Sequence, residues 1–316
     1  MVELNGKKIL VTFLMHLGDL TLTTPFIHAL RKAAPDAHIT MLVDEKLKDV
    51  VLFNPYLDEV VTIDKKGRDN SILSLWACSR HLSKLDFDVL INLHPNERCS
   101  FIDAMTSVKL RTGTTHKIFK WFWDVFTPLD RSMHAADMYL DVLQQLGVQD
   151  LSSNGLEIFP GEEHFLEAEL FWQEQNITDQ DKLIGFNIGS AVPTKRWPPE
   201  RFAEVADIFA AKGYKTVFFG GPMDEEMVAE ATGYMQTRPI IATGHFAIGG
   251  LAAAMRRCCL IITNDSGPMH VAISQKVPIV AMYGPSNPKL YGPYTKDAVI
   301  AVSYTHLRAH ETLMNL

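Results

Sequence analysis

The chain has 316 residues, 47% of them hydrophobic, and sets 30 Lys and Arg against 37 Asp and Glu for a formal net charge of −7. That length can bury more than one core and predicts two domains, while the acidic balance argues against a protein that binds nucleic acid mainly through its phosphates. No apolar run approaches the roughly 20 residues that span a bilayer, and the N-terminus lacks a basic region followed by an apolar segment and a cleavage site, so a cytoplasmic protein is expected.

Strands and helices alternate from the start. Runs at 8–12, 39–43, 60–63, 89–92 and 109–113 read as strands, and stretches at 20–33, 45–53, 71–85 and 135–147 carry apolar residues at helical spacing. This rhythm implies parallel βαβ units, with ligands at the carboxyl ends of the strands. It breaks between about 149 and 182, where Ser152-Ser153-Asn154-Gly155 and Pro160-Gly161 precede an acidic helical stretch bearing Trp172, so the domain connection is placed there. Strands then resume at 183–187, 214–219, 240–242, 260–263 and 277–282, with helices at 199–212, 224–235, 250–257 and 268–274. The expectation is an N-terminal domain over 1–160, a C-terminal domain over 161–302 and a tail over 303–316. The stretch from Ser303 to Thr312 continues no helical or strand period and reads as translated adaptor sequence, the alternative being a natural tail bearing His306 and His310. Cys78, Cys99, Cys258 and Cys259 form no CxxC pair and are expected as buried free thiols, without disulfides or a structural metal.

Two strand-to-helix corners in the second half have the composition of phosphate sites. Asn264-Asp265-Ser266-Gly267-Pro268-Met269-His270 follows one apolar strand, and the loop from Gly189 through Ser190, Thr194, Lys195 and Arg196 to Trp197 follows another. Helix N-termini attract anions through unpaired amides and the helix dipole. The amides of Gly267, Met269 and His270 and the Ser266 hydroxyl are candidate donors, Lys195 supplies a point charge, and Ser190 and Thr194 add hydroxyls. The structural alternatives are that Asp265 or Ser266 merely caps a helix, that His270 is packed and that Trp197 is core. Asp265 would repel a phosphate unless it accepts hydrogen bonds from backbone or sugar. Asp224 or Glu225, after Gly220-Gly221, can bond ribose hydroxyls or simply favour a helix start.

In the first half, Gly18-Asp19 follows the first strand and Thr24-Pro25 comes shortly after. Asp19 is placed to accept a proton from an attacking hydroxyl, or to cap a helix. A single glycine, Gly18, stands at this corner, so it is not a dinucleotide fingerprint. After the fourth strand, His94 and Arg98 can contact an anionic ligand or satisfy loop carbonyls.

With Gly18-Asp19 and Thr24-Pro25, then Lys195-Arg196-Trp197-Pro198, then Asp265-Ser266-Gly267-Pro268-Met269-His270, the chain resembles glycosyltransferase family 9, the lipopolysaccharide heptosyltransferases, over about 8–301. Ser266 stands where that family usually has threonine. The resemblance implies a GT-B fold of α/β class, two Rossmann-like doubly wound domains facing a cleft, with acceptor bound by the first and donor by the second. It implies inverting transfer of heptose from ADP-L-glycero-D-manno-heptose to the inner core of lipopolysaccharide, with Asp19 as general base. Ser190, Thr194, Lys195, Asp224, Asp265, Ser266, Gly267, Met269 and His270 would bind the donor, and Gly18, His94 and Arg98 the acceptor. That acceptor is the phosphorylated, Kdo-bearing lipid A core, met at the cytoplasmic face of the inner membrane; Arg98, Arg111, Lys117 and Lys120, beside Trp121 and Trp123, can meet it, unless those tryptophans are core. No Asp-x-Asp pair sits at a strand end, so neither metal nor cofactor is expected. The phrase over 14–25 and Ile91-Asn92-Leu93 looks most like enzymes that add a branching third heptose. Rival readings are a GT-B transferase using another donor such as a UDP-sugar, a nucleotide-sugar epimerase, and a core-assembly protein that binds without turnover.

Overall fold

The computed structural model describes residues 2–302, so the stretch 303–316 lies outside the described residues. The chain folds as two compact units that divide between Phe159 and Pro160. The first contains β1 (Lys8–Thr12), α1 (Leu17–Thr21), α2 (Thr24–Ala33), β2 (His38–Asp44), β3 (Glu59–Ile63), α3 (Ile72–Ser83), β4 (Val89–Asn92), α4 (Glu97–Met105), β5 (Leu110–Gly113), β6 (Val125–Phe126) and α5 (Ala135–Gln145). The second contains α6 (Glu162–Glu174), β7 (Leu183–Asn187), α7 (Pro199–Ala211), β8 (Lys215–Phe219), α8 (Glu225–Tyr234), β9 (Ile240–Ile241), α9 (Ile248–Met255), β10 (Cys258–Asn264), α10 (Gly267–Ser274), β11 (Ile279–Tyr283), α11 (Pro288–Tyr291) and β12 (Ala298–Val302).

Each unit carries one six-stranded sheet, in the orders β3-β2-β1-β4-β5-β6 and β12-β11-β10-β7-β8-β9, and every paired neighbour runs parallel. Parallel strands covered by helices on both faces read as unbroken apolar runs rather than alternations, which is the pattern of Ile9, Leu10 and Val11 in β1, all fully buried. Leu10, Leu42, Phe87, Leu90 and Ile102 meet in one core of the first unit, and Phe186, Phe202, Phe218 and Ile262 in one core of the second. Both strand orders reverse direction once, between β1 and β4 and between β7 and β10, and such a switch point opens a crevice at the carboxyl ends of its strands.

The departures from the sequence reading have local causes. The single helix expected over 20–33 is two, α1 and α2. Pro25 lacks an N–H and its ring conflicts with the carbonyl four residues back. That carbonyl belongs to Thr21 and is taken by the Thr24 hydroxyl at 2.8 Å. The stretch expected as a helix over 45–53 is a 3-10 turn, Glu45–Val50, started by the Asp44 carboxylate on the Lys46 amide. α4 is not among the helices expected from the sequence: Cys99, Ser100 and Asp103, on its inner side, are buried without an apolar period. The two-residue β6 and the strand β12 were likewise not expected. All four cysteines are free thiols, but only Cys99 and Cys258 are buried, Cys78 being partly buried and Cys259 exposed. Among the described residues no helix is long and apolar enough to cross a membrane.

Asp103 is fully buried and accepts the Thr12 hydroxyl at 2.9 Å. Burial, opposed by hydrogen bonds from Thr12 and Cys99 and by the charge of Arg111, pushes its pKa up from 3.8 to about 8. A group whose pKa is raised on folding binds its proton more tightly in the folded state, so its contribution to stability declines as pH rises from about 4 to about 8. Asp103→Asn keeps a neutral hydrogen-bonding group of the same shape. The variant is expected to match the parent near pH 4 and to unfold at higher temperature than the parent near pH 8, a difference that thermal melts across this range will read.

Candidate functional site

In the second unit the crevice is built on two asparagines. Asn187 ends β7 and Asn264 ends β10, neighbouring strands in register, and both are fully buried. Asn187 donates from its amide nitrogen to the Thr263 and Ser266 hydroxyls at 3.2 and 3.0 Å. Asn264 donates to the Ile188 carbonyl at 2.7 Å and accepts the Trp197 amide at 3.0 Å. The loop from 188 to 197 is thereby tied at both ends to the corner that follows β10. Within it, the Arg196 guanidinium donates to the Ser190 carbonyl at 2.8 Å, and the short 3-10 turn Pro193–Lys195 presents the lysine. Trp197 is partly buried and meets Phe202 edge-on with ring centres 5.0 Å apart, packed against the core of the unit.

The Lys195 ammonium lies 2.7 Å from the Asp265 carboxylate, which is itself buried. The repulsion expected between Asp265 and an anion is thus balanced by a partner the sequence did not reveal. Neither capping alternative holds, because Ser266, the N-cap residue of α10, makes no side-chain capping bond and its hydroxyl faces Asn187. Ser266 and Gly267 are partly exposed at this helix start, whereas Met269 and His270 are buried. Met269 packs its sulfur on the Tyr283 hydroxyl at 3.7 Å, and its amide already donates to the Ser266 carbonyl. The Tyr283 hydroxyl, pushed far above its ordinary pKa by burial and then by the Asp265 charge, stays protonated.

Asp224 accepts the Gly221 amide at 2.9 Å and lies directly on Gly189: a methyl group there would come within 2.2 Å of its carboxylate. Only glycine permits that approach, and it brings Asp224 beside the Lys195 loop. Glu225 is exposed and faces Gly244 instead. Ser190 is buried and Thr194 half-buried in the same loop.

In the first unit the corresponding corner follows β1. Asp19 is half-buried in the first turn of α1, and the N-cap position belongs to His16, so Asp19 is not the cap. A residue not singled out from the sequence holds this corner in place. Lys65 is nearly buried, pairs with Asp44 at 3.1 Å and donates to the Leu14 and Met15 carbonyls at 2.9 and 2.8 Å. Its only sequence signal is a lysine two residues after a strand. His94, after β4, donates its amide to the Asn92 side chain at 2.8 Å and sets its ring edge-on to Phe13. Burial, and then the charges of Arg131 and His16, lower its pKa to about 4, so the ring is neutral at neutral pH. Arg98 directs its guanidinium to the Lys65 carbonyl and the Asn70 side chain, and Arg111 to the Asp103 and Thr106 carbonyls. Arg98 therefore braces a loop, and Arg111 the last turn of α4. Trp123 is buried and Trp121 is 81% exposed, which separates two tryptophans the sequence left together. Among the described residues no three His, Cys, Asp or Glu side chains gather as a metal site.

Two doubly wound units, each with a six-stranded parallel sheet and one switch point, give the chain a GT-B fold. The family model "Glycosyltransferase family 9 (heptosyltransferase)" matches residues 75–314, and the chain belongs to that family. It is 55% identical to the glycosyl transferase family 9 structure from Veillonella parvula DSM 2008, with a TM-score of 0.95 over 99% of this chain and 93% of that one. It is 24% identical over 297 residues to lipopolysaccharide heptosyltransferase 3 of Escherichia coli (strain K12), covering 89% of this chain and 84% of the relative. The E. coli heptosyltransferase WaaC with ADP shares the fold at a TM-score of 0.75 and 17% identity, over 98% of this chain and 99% of that one.

Asn264→Ala leaves the Ile188 carbonyl and Trp197 amide without side-chain partners in a buried setting. A loss of about 2–3 kcal/mol is expected, measured by urea unfolding.

Proposed function

We propose that the protein transfers heptose, with inversion, from ADP-L-glycero-D-manno-heptose to the phosphorylated inner core of lipopolysaccharide. The second unit binds the donor and the first the acceptor. The observation that carries the reading is the Lys195–Asp265 pair at 2.7 Å, beside the start of α10 and on a loop fixed by Asn264. Asp265 aims the ammonium, and a diphosphate arriving there meets Lys195, the Gly267 amide, the Ser266 hydroxyl and the positive end of a helix dipole. His270, Ser190 and Thr194 border the pocket, and Asp224, against Gly189, receives the ribose hydroxyls.

Inverting transfer needs a base on the acceptor side and positive charge on the leaving diphosphate. Asp19 takes the proton of the attacking hydroxyl as the anomeric carbon–oxygen bond to ADP breaks, and Lys195 with the helix amides receives the negative charge that leaves. Gly18 allows the acceptor to approach the corner. The neutral His94 orients acceptor hydroxyls, and Arg98 holds loop 65–70 beside them. A donor of the ADP type is supported by the ADP bound to the structurally similar WaaC. The relatives named lipopolysaccharide heptosyltransferase 3 and lipopolysaccharide heptosyltransferase 2, both 24% identical, support heptose as the added sugar. The acceptor is lipid-borne, so the enzyme works at the cytoplasmic face of the inner membrane.

Calorimetric titration with ADP, UDP and GDP tests the donor. ADP is expected to bind tightest, and Lys195→Ala to weaken all three nucleotides alike because the lysine meets the diphosphate they share; tighter UDP binding would overturn the ADP-heptose assignment. In a turnover assay Asp19→Ala is expected to fall roughly a hundredfold or more while ADP affinity stays within about twofold of the parent. Parental turnover in that variant would remove Asp19 from the mechanism.

A further inference from the structure

We propose that the first unit docks on an anionic lipid leaflet through two exposed apolar clusters at the carboxyl end of its sheet; this deepens, and rests on, the reading of a membrane-borne acceptor. The first cluster is the 3-10 turn Lys117–Phe122. Ile118, Trp121 and Phe122 are 59%, 81% and 43% exposed, and the exposed Lys117 and Lys120 are interleaved with them. The turn is already anchored from beneath. Trp123 is buried and donates its indole N–H to the Thr112 carbonyl at 3.0 Å, Phe119 meets Phe101 edge-on, and the Lys120 ammonium lies 4.1 Å from the centre of the Phe126 ring. The outward side chains are therefore presented by a packed base, not left over from an unfilled core.

The second cluster opens α3. Ile72, Leu73 and Trp76 are 67%, 74% and 52% exposed, and the Arg80 guanidinium sits 5.8 Å from the Trp76 ring centre. α3 follows β3 and the 117–122 turn follows β5, in one parallel sheet. Both clusters thus leave the same sheet end as Asp19 after β1 and His94 after β4. The link to the α4 start is direct: the His116 amide donates to the Ser100 hydroxyl at 2.9 Å.

Large apolar side chains flanked by lysine and arginine match an interface where hydrocarbon lies beneath anionic headgroups. Among the described residues Lys117 has no carboxylate at ion-pair distance. The acidic residues in reach are Glu97, beside His116, and Asp124, whose carboxylate accepts the Arg111 amide. A leaflet held against this end would present a lipid-anchored acceptor headgroup to Asp19 without extracting it from the bilayer.

Co-sedimentation of the full chain with vesicles tests this, comparing phosphatidylcholine alone with phosphatidylcholine containing about a third phosphatidylglycerol. The parent is expected to partition into the anionic vesicles, and the pairs Ile118→Ser with Trp121→Ser, and Leu73→Ser with Trp76→Ser, to lower partitioning about tenfold or more. Lys117→Glu with Lys120→Glu should abolish the preference for anionic over neutral vesicles. Melting temperature and ADP affinity should not move, because these side chains are exposed and lie in the first unit. Equal partitioning of the parent into both vesicle types, parental partitioning by the serine pairs, or serine pairs that instead dissolve a lipid-free dimer would overturn the proposal. A parent that binds vesicles but not ADP would overturn the donor assignment alone.

Discussion

Thr12, Asn92, Asn187 and Asn264 end the four strands that flank the two switch points, and all four are fully buried. At a strand end the ladder no longer supplies partners, yet a buried amide or hydroxyl left unbonded costs roughly 1–3 kcal/mol. Each side chain consequently reaches across to another segment. Thr12 reaches Asp103 on α4, Asn92 the His94 amide, Asn187 the Ser266 hydroxyl and Asn264 the two ends of the 188–197 loop. The same requirement that makes these ends stable draws the functional loops onto them, so satisfying the fold also shapes the crevices.

The two crevices are then given different electrostatics. In the second unit a lysine is held by a buried carboxylate at a helix start, beside the positive end of the helix dipole. In the first unit the charged groups nearest the corner are mostly engaged inward. Lys65 braces the 13–16 backbone, Arg98 braces loop 65–70, and His94 is kept neutral by burial.

Much of this was legible in the chain. Parallel strands buried on both faces announce themselves as apolar runs, which is why 8–12, 89–92 and 183–187 coincide with β1, β4 and β7. The two corners after β7 and β10 could be located because glycine, proline, lysine and small hydroxyl residues cluster where strands hand over to helices. α4 could not be, since its inward residues include Ser100 and Asp103 and its period is hidden. Nor could the different fates of Trp121 and Trp123, two residues apart and identical in kind.

The sequence by itself determined the alternation of elements, the two α/β units and the positions of the strand-to-helix corners, because those follow from local periodicity and from backbone chemistry at glycine and proline. Only the tertiary structure decided that Lys195 pairs with Asp265, that Asp224 rather than Glu225 lies on Gly189, and that Lys65, Arg98 and Arg111 face inward. These are matters of which distant side chain arrives within hydrogen-bonding distance. That depends on how strands far apart in the chain come into register, a quantity no local pattern encodes.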